Sequence, residues 1–335
     1  MVEIPKKAKV IKKIKKFIYE NNLEGYLIPK NDNYFTEYSN TNNLEKVSNF
    51  DGSAGFALIL KKKNYLFVDG RYTVQAKKQS GKKFIILEIP NIWPKNLLNI
   101  KGLKIGFDPK LFTENILKKY FNNNVILVPI EYRFKKENKT RVNKIFILSK
   151  KIVGESFNSK IRKIRKYLLD KNINYLYISA SENVNWILNI RGKDLPNSPL
   201  ANCKLVITDK GKLYLFVNLK KISNLKKNFL NKINYCEENK FFEIISKFKK
   251  KKFAIDNNSC SIFEEQLIKS KFQIVSKIDP IYNHKSIKNQ TEIKNSIKAH
   301  IEDGIALTKF LYWFKNNKKK VTEKFIEKKL EKFRK

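Results

Sequence analysis

The sequence predicts an α/β protein with two consecutive α/β domains, residues 1–140 and 141–280, followed by the first helices of a third domain at residues 281–335. Three observations predict this fold class. The chain has 335 residues, more than the ~100–200 of an ordinary single domain. Short apolar runs alternate with amphipathic stretches, and this alternation starts afresh after the polar run KKENKTR at 135–141, which reads as a linker. Beyond Asp279-Pro280 only the helical period continues.

The first domain is predicted to open with a helix from about Lys7 to Asn22, because its apolar residues share one stripe and Gly25 follows as a stop signal. Gly25–Pro29 then forms a short buried strand. In chain order, the remaining predicted elements are a hairpin of strands Gly55–Lys61 and Tyr65–Val68, a helix Tyr72–Gln79, strands Phe84–Leu87, Leu103–Gly106 and Val125–Val128, and helical stretches near Leu97 and at Thr113–Phe121.

The second domain is predicted to have the same alternating pattern and a similar size. No repeat is visible at the level of residues, so we expect any duplication to be one of architecture only. In chain order, its predicted elements are a helix Ser159–Leu169, a strand Tyr175–Ile178, a helix Asn183–Leu188, a hairpin Lys204–Val217, a helix Phe241–Phe248, a strand Phe253–Ile255 and a helix Ser261–Ser270.

The last segment is predicted to form two helices. Asn289 and Glu292 have the spacing of a capping box, and apolar residues recur at helical spacing from there to about Phe314. Thr322 is placed to cap a second helix that runs to Lys335. Each apolar stripe must be buried against something larger, so we expect the chain to be cut off within a third domain.

The formal net charge of +40 does not by itself indicate a nucleic-acid partner. Of the 71 basic residues seven are Arg and 64 are Lys, and the lysines are spread along the whole chain. Phosphate and base recognition favour the planar fork of Arg and concentrate charge on one face. A solvated lysine-rich surface is therefore favoured, and no nucleic-acid partner is expected; nonspecific nucleic-acid binding stays as a rival hypothesis.

The sequence is typical of a soluble cytoplasmic protein with no membrane partner. No apolar run approaches the ~18–20 residues of a membrane span. The basic N-terminus lacks the apolar core and cleavage site of a secretory signal. Cys203, Cys236 and Cys260 are widely spaced and odd in number, which predicts neither a disulfide framework nor a zinc site.

The sharpest local signal is the pair of motifs FDGSAG (residues 50–55) and VDGRY (residues 68–72). The first is a small-residue turn that leads into a strand, and the second is a tight turn from a strand to a helix. Arg71, the only Arg in the first 132 residues, is exposed by this second turn. Its fork suits a substrate carboxylate or carbonyl, but pairing with Asp69 to fix the turn is equally consistent with the spacing.

These motifs carry a family resemblance that continues downstream. EGYLIPKNDNYFTEY from Glu24, FDGSAG and VDGRY resemble the N-terminal domain of the three-domain Xaa-Pro aminopeptidases (aminopeptidase P, peptidase family M24B), which are creatinase/prolidase-like metallopeptidases. SENVNWILNIRGKDLPNSPL (residues 181–200) is similar to their second-domain signature, in which Gly192 would permit an unusual backbone angle and Asp194 would cap locally. The helices from Lys285 and Val321 resemble those that open their catalytic pita-bread domain.

The resemblance implies a metalloaminopeptidase that removes an N-terminal residue preceding proline with the help of two divalent metal ions, usually manganese. The family's ligands, two Asp, one His and two Glu, fall beyond the last residue of this sequence, so no catalytic residue and no metal ligand is assigned and the chain alone is expected to be inactive. Arg71 matches the family's DGRY arginine and is therefore expected to bind substrate, with Asp69 and Tyr72 in support. Peptide substrates with proline second and a homodimer are also implied.

The two histidines do not change this assignment. His284 is expected in a loop after Pro280, and His300 on the apolar stripe of the long helix as a packed, hydrogen-bonded core residue. Asp303 shares a helix face with His300, but the pair is insufficient for a metal centre. The alternative to an enzyme is a non-enzymatic, peptidase-like module that binds proteins.

Overall fold

The computed structural model of the chain describes residues 6–36, 42–98, 100–134, 142–223, 225, 233–317 and 319–335; the predicted linker at 135–141 lies outside them. Two lobes and a helical hairpin make up the described structure. We call residues 6–134 the first lobe, residues 142–286 the second lobe, and residues 290–334 the terminal hairpin.

The first lobe is a mixed six-stranded sheet with helices on both faces. Its strands are β1 (Gly25–Pro29), β2 (Phe56–Leu60), β3 (Asn64–Asp69), β4 (Ile85–Ile89), β5 (Leu103–Phe107) and β6 (Val125–Pro129). Its helices are α1 (Lys6–Glu20), α2 (Asn43–Ser48), α3 (Thr73–Ser80), α4 (Pro94–Leu97) and α5 (Glu114–Tyr120). The strand order is β4-β3-β2-β1-β5-β6, and β2 alone runs against its neighbours.

Each face of this sheet buries its own apolar cluster. Leu27, Leu58 and Phe67 point to the face covered by α4 and α5, whereas Tyr26, Ile28 and Ala57 point to the face covered by α1, α2 and α3. Neighbours along a strand alternate between the faces, as the pleat requires. The near-continuous apolar runs of β1 and β2 follow from burial on both sides.

The second lobe begins with a short two-stranded ladder, three helices and the first strand of its main sheet. These elements are β7 (Phe146–Ile147), α6 (Lys150–Val153), α7 (Phe157–Asp170), β8 (Tyr175–Ile178), α8 (Ser181–Leu188) and β9 (Ile190–Arg191), with β7 paired to β9. The rest of the lobe completes the sheet. Its elements are β10 (Lys204–Thr208), β11 (Leu213–Phe216), β12 (Asn234–Cys236), α9 (Phe241–Ser246), β13 (Lys252–Ile255), α10 (Ile262–Lys269), β14 (Gln273–Ser276) and α11 (Pro280–Ser286).

The predicted duplication of architecture is confirmed by the strand order of the second sheet, β12-β11-β10-β8-β13-β14. Strands β8, β10, β11, β12, β13 and β14 take the places of β1 to β6, and β10 is the single antiparallel strand. The shared architecture extends to the helix ends, because Asn22 and Asn172 follow the matching helices with the same positive φ of 52°.

Backbone hydrogen bonds join the two lobes. The amide of Ile262 donates to the carbonyl of Phe112 at 2.9 Å, and that of Phe263 donates to the carbonyl of Pro109 at 3.0 Å. The side chain of Asn257 donates to Glu114 at 2.6 Å. The start of α10 is thereby fixed against the loop that follows β5.

The terminal hairpin consists of α12 (Gln290–Asn316) and α13 (Glu323–Arg334). Asn289 and Glu292 form the predicted capping box, and the side chain of Thr322 caps α13 as predicted. Arg334 donates to Asp303 through two nitrogens, at 2.7 and 3.2 Å, and joins the helices. Phe310 is buried between them, where its ring meets those of Trp313 and Phe333.

Much of the apolar stripe of α12 is exposed in this structure. Ile297, Ile301 and Ile305 are each 52 to 59% exposed. His300 is also exposed, so the prediction of a packed core histidine is wrong. Helical periodicity shows which side chains share a face, but whether that face is covered depends on the partner elements.

Two further expectations need correction or extension. His284 lies in helix α11, where Pro280 occupies the first turn and Asp279 caps it, rather than in a loop. The sequence analysis did not predict strands β7, β9, β12 and β14 or helices α2, α6 and α11. Within the described residues, no helix has an apolar stretch long enough to cross a bilayer.

Candidate functional site

The turn after β3 holds Arg71 by several contacts with one neighbour. The carboxylate of Asp69 accepts the backbone amide of Arg71 at 2.9 Å, its Nε at 3.1 Å and its Nη2 at 2.7 Å. These hydrogen bonds and the guanidinium charge hold the pKa of the Asp69 carboxyl below its usual range. The turn is therefore a preformed support for the arginine.

The guanidinium nevertheless lies at the surface. The Arg71 side chain is 76% exposed, and its terminal carbon lies 5.4 Å from the centroid of the Tyr72 ring. The alternative in which Arg71 pairs with Asp69 is thus realised. The paired arginine is not buried. The Asp69 carboxylate orients the guanidinium, which stays exposed to solvent.

The FDGSAG loop packs directly against this turn. Ser53 Oγ and the Tyr72 hydroxyl share a hydrogen bond of 2.6 Å, and the Phe50 and Tyr72 rings meet edge to face. Gly55 has a φ of +151°, and a side chain there would meet the carbonyl of Phe67 at 2.8 Å. Only glycine allows the loop to approach β3 so closely.

A second set of hydrogen bonds fixes the loop to helix α3. Asp51 accepts the side-chain amides of Gln75 at 2.6 Å and Gln79 at 2.8 Å. The backbone amide of Asp51 in turn donates to the side-chain oxygen Oε1 of Gln79 at 3.3 Å. The two motifs therefore form one surface, which we call the arginine site: Asp51, Ser53, Asp69, Arg71 and Tyr72.

The topology explains why the arginine site forms where it does. Strand β3 ends at Asp69, and β2 begins at Phe56 on the same edge of the sheet because it runs in the opposite direction. This is also the edge where the parallel strands β1, β5 and β6 end. In open α/β sheets ligands bind beyond the carboxyl ends of the strands.

The signature in the second lobe has a structural role in this geometry. Arg191 Nη1 donates to the carbonyls of Asn185 at 3.0 Å and Ile190 at 2.7 Å. Asp194 accepts the Asn202 amide at 2.7 Å and pairs with Lys221 at 2.7 Å. The prediction that Asp194 caps the local backbone agrees with these contacts.

The reason given for Gly192 was wrong. Its φ is not in the positive region; instead, a Cβ there would lie 2.8 Å from the Cβ of Ala201 and 2.9 Å from its Cα. The glycine is required by the close approach of two chain segments. Sequence spacing cannot show this approach, because the segments meet only in the folded lobe.

The sequence analysis did not predict a group of buried polar residues near this signature. Lys160 is only 2% exposed, and its ammonium donates to the Trp186 carbonyl at 2.9 Å and to Asn189 Oδ1 at 2.8 Å. The Trp186 indole donates to Glu292 at 3.2 Å and so connects the second lobe to α12. Burial lowers the pKa of Lys160 to about 8.

No metal centre can be assigned to the described part of the chain, where no three His, Cys, Asp or Glu side chains form a group able to hold an ion. His284 is half-buried in α11, His300 is exposed on α12, and Asp303 pairs with Arg334. The residues present therefore do not fit a dinuclear site. We derive no catalytic step through a metal.

Two family models match the chain. Both are described as the creatinase/prolidase N-terminal domain; one matches residues 11–136 and the other residues 136–292. Together they span most of the two lobes.

Curated relatives align along nearly the whole chain. Xaa-Pro aminopeptidase 1 of Dictyostelium discoideum is 29% identical and covers 98% of this chain but 57% of its own length. Xaa-Pro aminopeptidase ApepP of Drosophila melanogaster is 30% identical and covers 90% of this chain and 53% of its own length. The chain thus spans about half the length of the curated relatives it matches.

A solved structure has the same fold. The X-prolyl aminopeptidase of Caenorhabditis elegans, described as a cytosolic enzyme with a di-nuclear active site, covers 98% of this chain with a TM-score of 0.87. The sequence identity is 20%, and 60% of that chain is covered.

Proposed function

The chain belongs to the creatinase/prolidase family, in its aminopeptidase P branch, and from this premise we propose that it is the substrate-access part of an Xaa-Pro aminopeptidase. In this proposal the two lobes shape the approach to a hydrolytic centre. The substrates are peptides with proline in the second position. The centre carries two divalent metal ions, of which manganese is the proposed choice.

The proposed domain organisation keeps the expected boundaries: two creatinase-like domains at residues 1–140 and 141–280, and the start of a pita-bread catalytic domain at residues 281–335. The exposed stripe of α12 supports the last assignment. Ile293, Ile297, Ile301 and Ile305 recur every fourth residue and are 39 to 59% exposed. Such a stripe is stabilised when a further layer of the same domain covers it.

The observation that carries the proposal is the geometry of Arg71. Its guanidinium is exposed, yet the hydrogen bonds that it donates to Asp69 restrict its orientation. A restricted guanidinium loses less conformational entropy when it binds a peptide carbonyl or carboxylate. The hydrogen bonds and charge of Arg71 hold the pKa of the Asp69 carboxyl below its usual range, so the carboxylate that supports the arginine stays charged even below neutral pH.

Cytoplasmic location and homodimer formation are further parts of the proposal. The Caenorhabditis elegans neighbour is described as cytosolic, and this is the support for the first part. In a homodimer, the arginine site of one subunit would lie over the catalytic pocket of another.

The assay that tests this function compares the chain with a chimera. The purified 335-residue chain, incubated with Mn²⁺ and an Xaa-Pro peptide, should release no N-terminal residue. A chimera in which this chain replaces the matching part of the Dictyostelium relative should release it. Turnover by the chain alone would show that the chemistry has been misplaced, and a folded but inactive chimera would count against the proposed access role.

A further inference from the structure

A cleft of about 450 Å³ lies between the two lobes and is distinct from the arginine site. Asn33 and Lys110 line it from the first lobe, and Lys204, Glu238 and Phe241 are among the residues that line it from the second. Its volume falls in the range of small-molecule sites, ~300–1,000 Å³, and such sites occur preferentially between domains.

Topology favours this position as a binding site. Asn33 follows β1 and Lys110 follows β5, and these two parallel strands are adjacent. The strand order reverses between them, because β2 to β4 lie on one side of β1 and β5 and β6 lie on the other. From the second lobe, Glu238 follows β12, and Lys204 begins the antiparallel β10, so both lie at the carboxyl edge of that sheet. The cleft is therefore bounded by the carboxyl edges of both sheets, the usual place for ligands in open α/β folds.

The charges that line the cleft are balanced in sign. Lys204 and Glu264 form an ion pair whose side chains are 13% and 11% exposed. Lys110 pairs with Glu131 at 2.9 Å near the opening. Nearly buried ion pairs contribute little net stability, because desolvation offsets their attraction. Glu264 also accepts the backbone amide and the hydroxyl of Ser261 in the capping box that begins α10, so it has a structural role besides lining the cleft.

Glu238 is the lining carboxylate that forms no ion pair among the described residues. Glu238 is exposed. The surrounding protein raises the pKa of the Glu238 carboxyl by removing part of its hydration, whereas a hydrogen bond from Tyr34 and the charges of Lys204 and Lys221 act to lower it. A ligand ammonium would add the direct ion pair that Glu238 lacks among the described residues.

Phenyl rings form the apolar wall. Phe216 and Phe241 are buried with ring centroids 5.0 Å apart, and Phe242 and Phe263 are 41% and 38% exposed nearby. Exposed aromatic rings beside a partly desolvated carboxylate favour a ligand with both an apolar body and a cationic group.

We propose that this cleft binds a small zwitterion with an apolar side chain, of the amino-acid or short-peptide class. The ammonium group binds Glu238, the carboxylate lies toward Lys110 and Lys204, and the apolar side chain packs against the phenyl rings. The site is separate from Arg71, because β3 and β5 are three strand spacings apart, roughly 14 Å. The inference does not depend on the proposed peptidase function.

Calorimetric titration of the 335-residue chain tests this proposal without any turnover. L-Phenylalanine and the dipeptide phenylalanyl-leucine are the two zwitterionic probes, and the tighter of them identifies the preferred size. Phenethylamine lacks the carboxylate and 3-phenylpropionate lacks the amine. We expect saturable binding of at least one zwitterion with Kd on the order of 1 mM or tighter, and at least tenfold weaker binding of both analogues.

The variant Glu238→Gln should weaken zwitterion binding about tenfold, which corresponds to ~1.4 kcal/mol. Glu237→Gln is the matched control, because the neighbouring Glu237 accepts the Leu219 amide at 3.3 Å and does not line the cleft. Circular dichroism confirms that both variants fold. Absence of saturable binding below about 10 mM, equal binding of either analogue, or unchanged affinity in Glu238→Gln would each overturn the proposal.

Discussion

Replacement of Lys160 by methionine should change how the stability of the protein depends on pH. Lys160 lies 3.7 Å from the Trp186 ring centroid and is hydrogen-bonded to a carbonyl and to Asn189. Burial lowers its pKa from the ordinary 10.5 to about 8. Between these two values the unfolded chain binds more protons than the folded one, so this lysine makes the folded state more stable as pH rises.

The magnitude follows from the two pKa values. At pH 7 both states hold the proton and the contribution is near zero. At pH 10 the folded state has lost its proton and the unfolded state has largely kept it, which corresponds to about 2.5 kcal/mol. The Lys160→Met variant lacks this contribution, so its unfolding free energy relative to the unaltered chain should fall by about 2.5 kcal/mol between pH 7 and pH 10.

Urea unfolding of the variant and of the unaltered chain at both pH values measures this difference. The contributions of the other lysines to the pH dependence are the same in both proteins and cancel. Lys166→Met removes an exposed lysine from the same helix and should change the unfolding free energy by less than about 0.5 kcal/mol at either pH. A difference between Lys160→Met and the unaltered chain that stays constant from pH 7 to pH 10 would refute the reasoning.

Two glycine substitutions test close contacts in the second lobe. Gly154→Ala should lower the unfolding free energy by about 2–3 kcal/mol, because φ is +74° and the new Cβ would lie 2.3 Å from Asn289 Oδ1. The matched control is Gly102→Ala, where φ is +83° but a new Cβ would have no atom within 4 Å. Urea unfolding should show that this control lowers the unfolding free energy by only about 1 kcal/mol. Equal losses in the two variants would contradict a role for the contact with Asn289. Gly192→Ala should lower the unfolding free energy by about 1–3 kcal/mol, because the new Cβ overpacks against Ala201. An unchanged midpoint of urea unfolding would contradict this explanation of the glycine.

Most of the regular elements could be predicted because their signals are local. The capping box of α12 and the apolar stripe of α1 depend on residues three or four positions apart in the sequence, and the structure confirms both helices. The short strand β12 and the edge strand β14 have weaker patterns. Asn234–Cys236 is only three residues long, and the outer residues of Gln273–Ser276 are exposed, so neither shows a buried run.

The candidate site was predicted only in part. The DGRY motif indicated Arg71 and two roles for it, substrate binding or pairing with Asp69. The hydrogen bond between Ser53 and Tyr72 could not be predicted, because it depends on how β2 and β3 pair. The interlobe cleft could not be predicted, because Lys110 and Glu238 are distant in sequence and line one cleft only after the two lobes have packed together. His300 was misjudged for the same reason, since burial depends on elements that the local pattern does not contain.

The kinetics of Arg71 variants test most directly whether the arginine site contacts the peptide. In the Dictyostelium chimera, Arg71→Ala should lower kcat/KM for an Xaa-Pro peptide about ten- to a hundredfold, since a hydrogen bond to a charged group contributes ~1.5–3 kcal/mol. Arg71→Lys should recover only part of this loss, because lysine lacks the planar fork. Lys78→Ala on α3, also exposed, is the control and should leave kcat/KM unchanged. An Arg71→Ala chimera as active as the Lys78→Ala control would contradict the account.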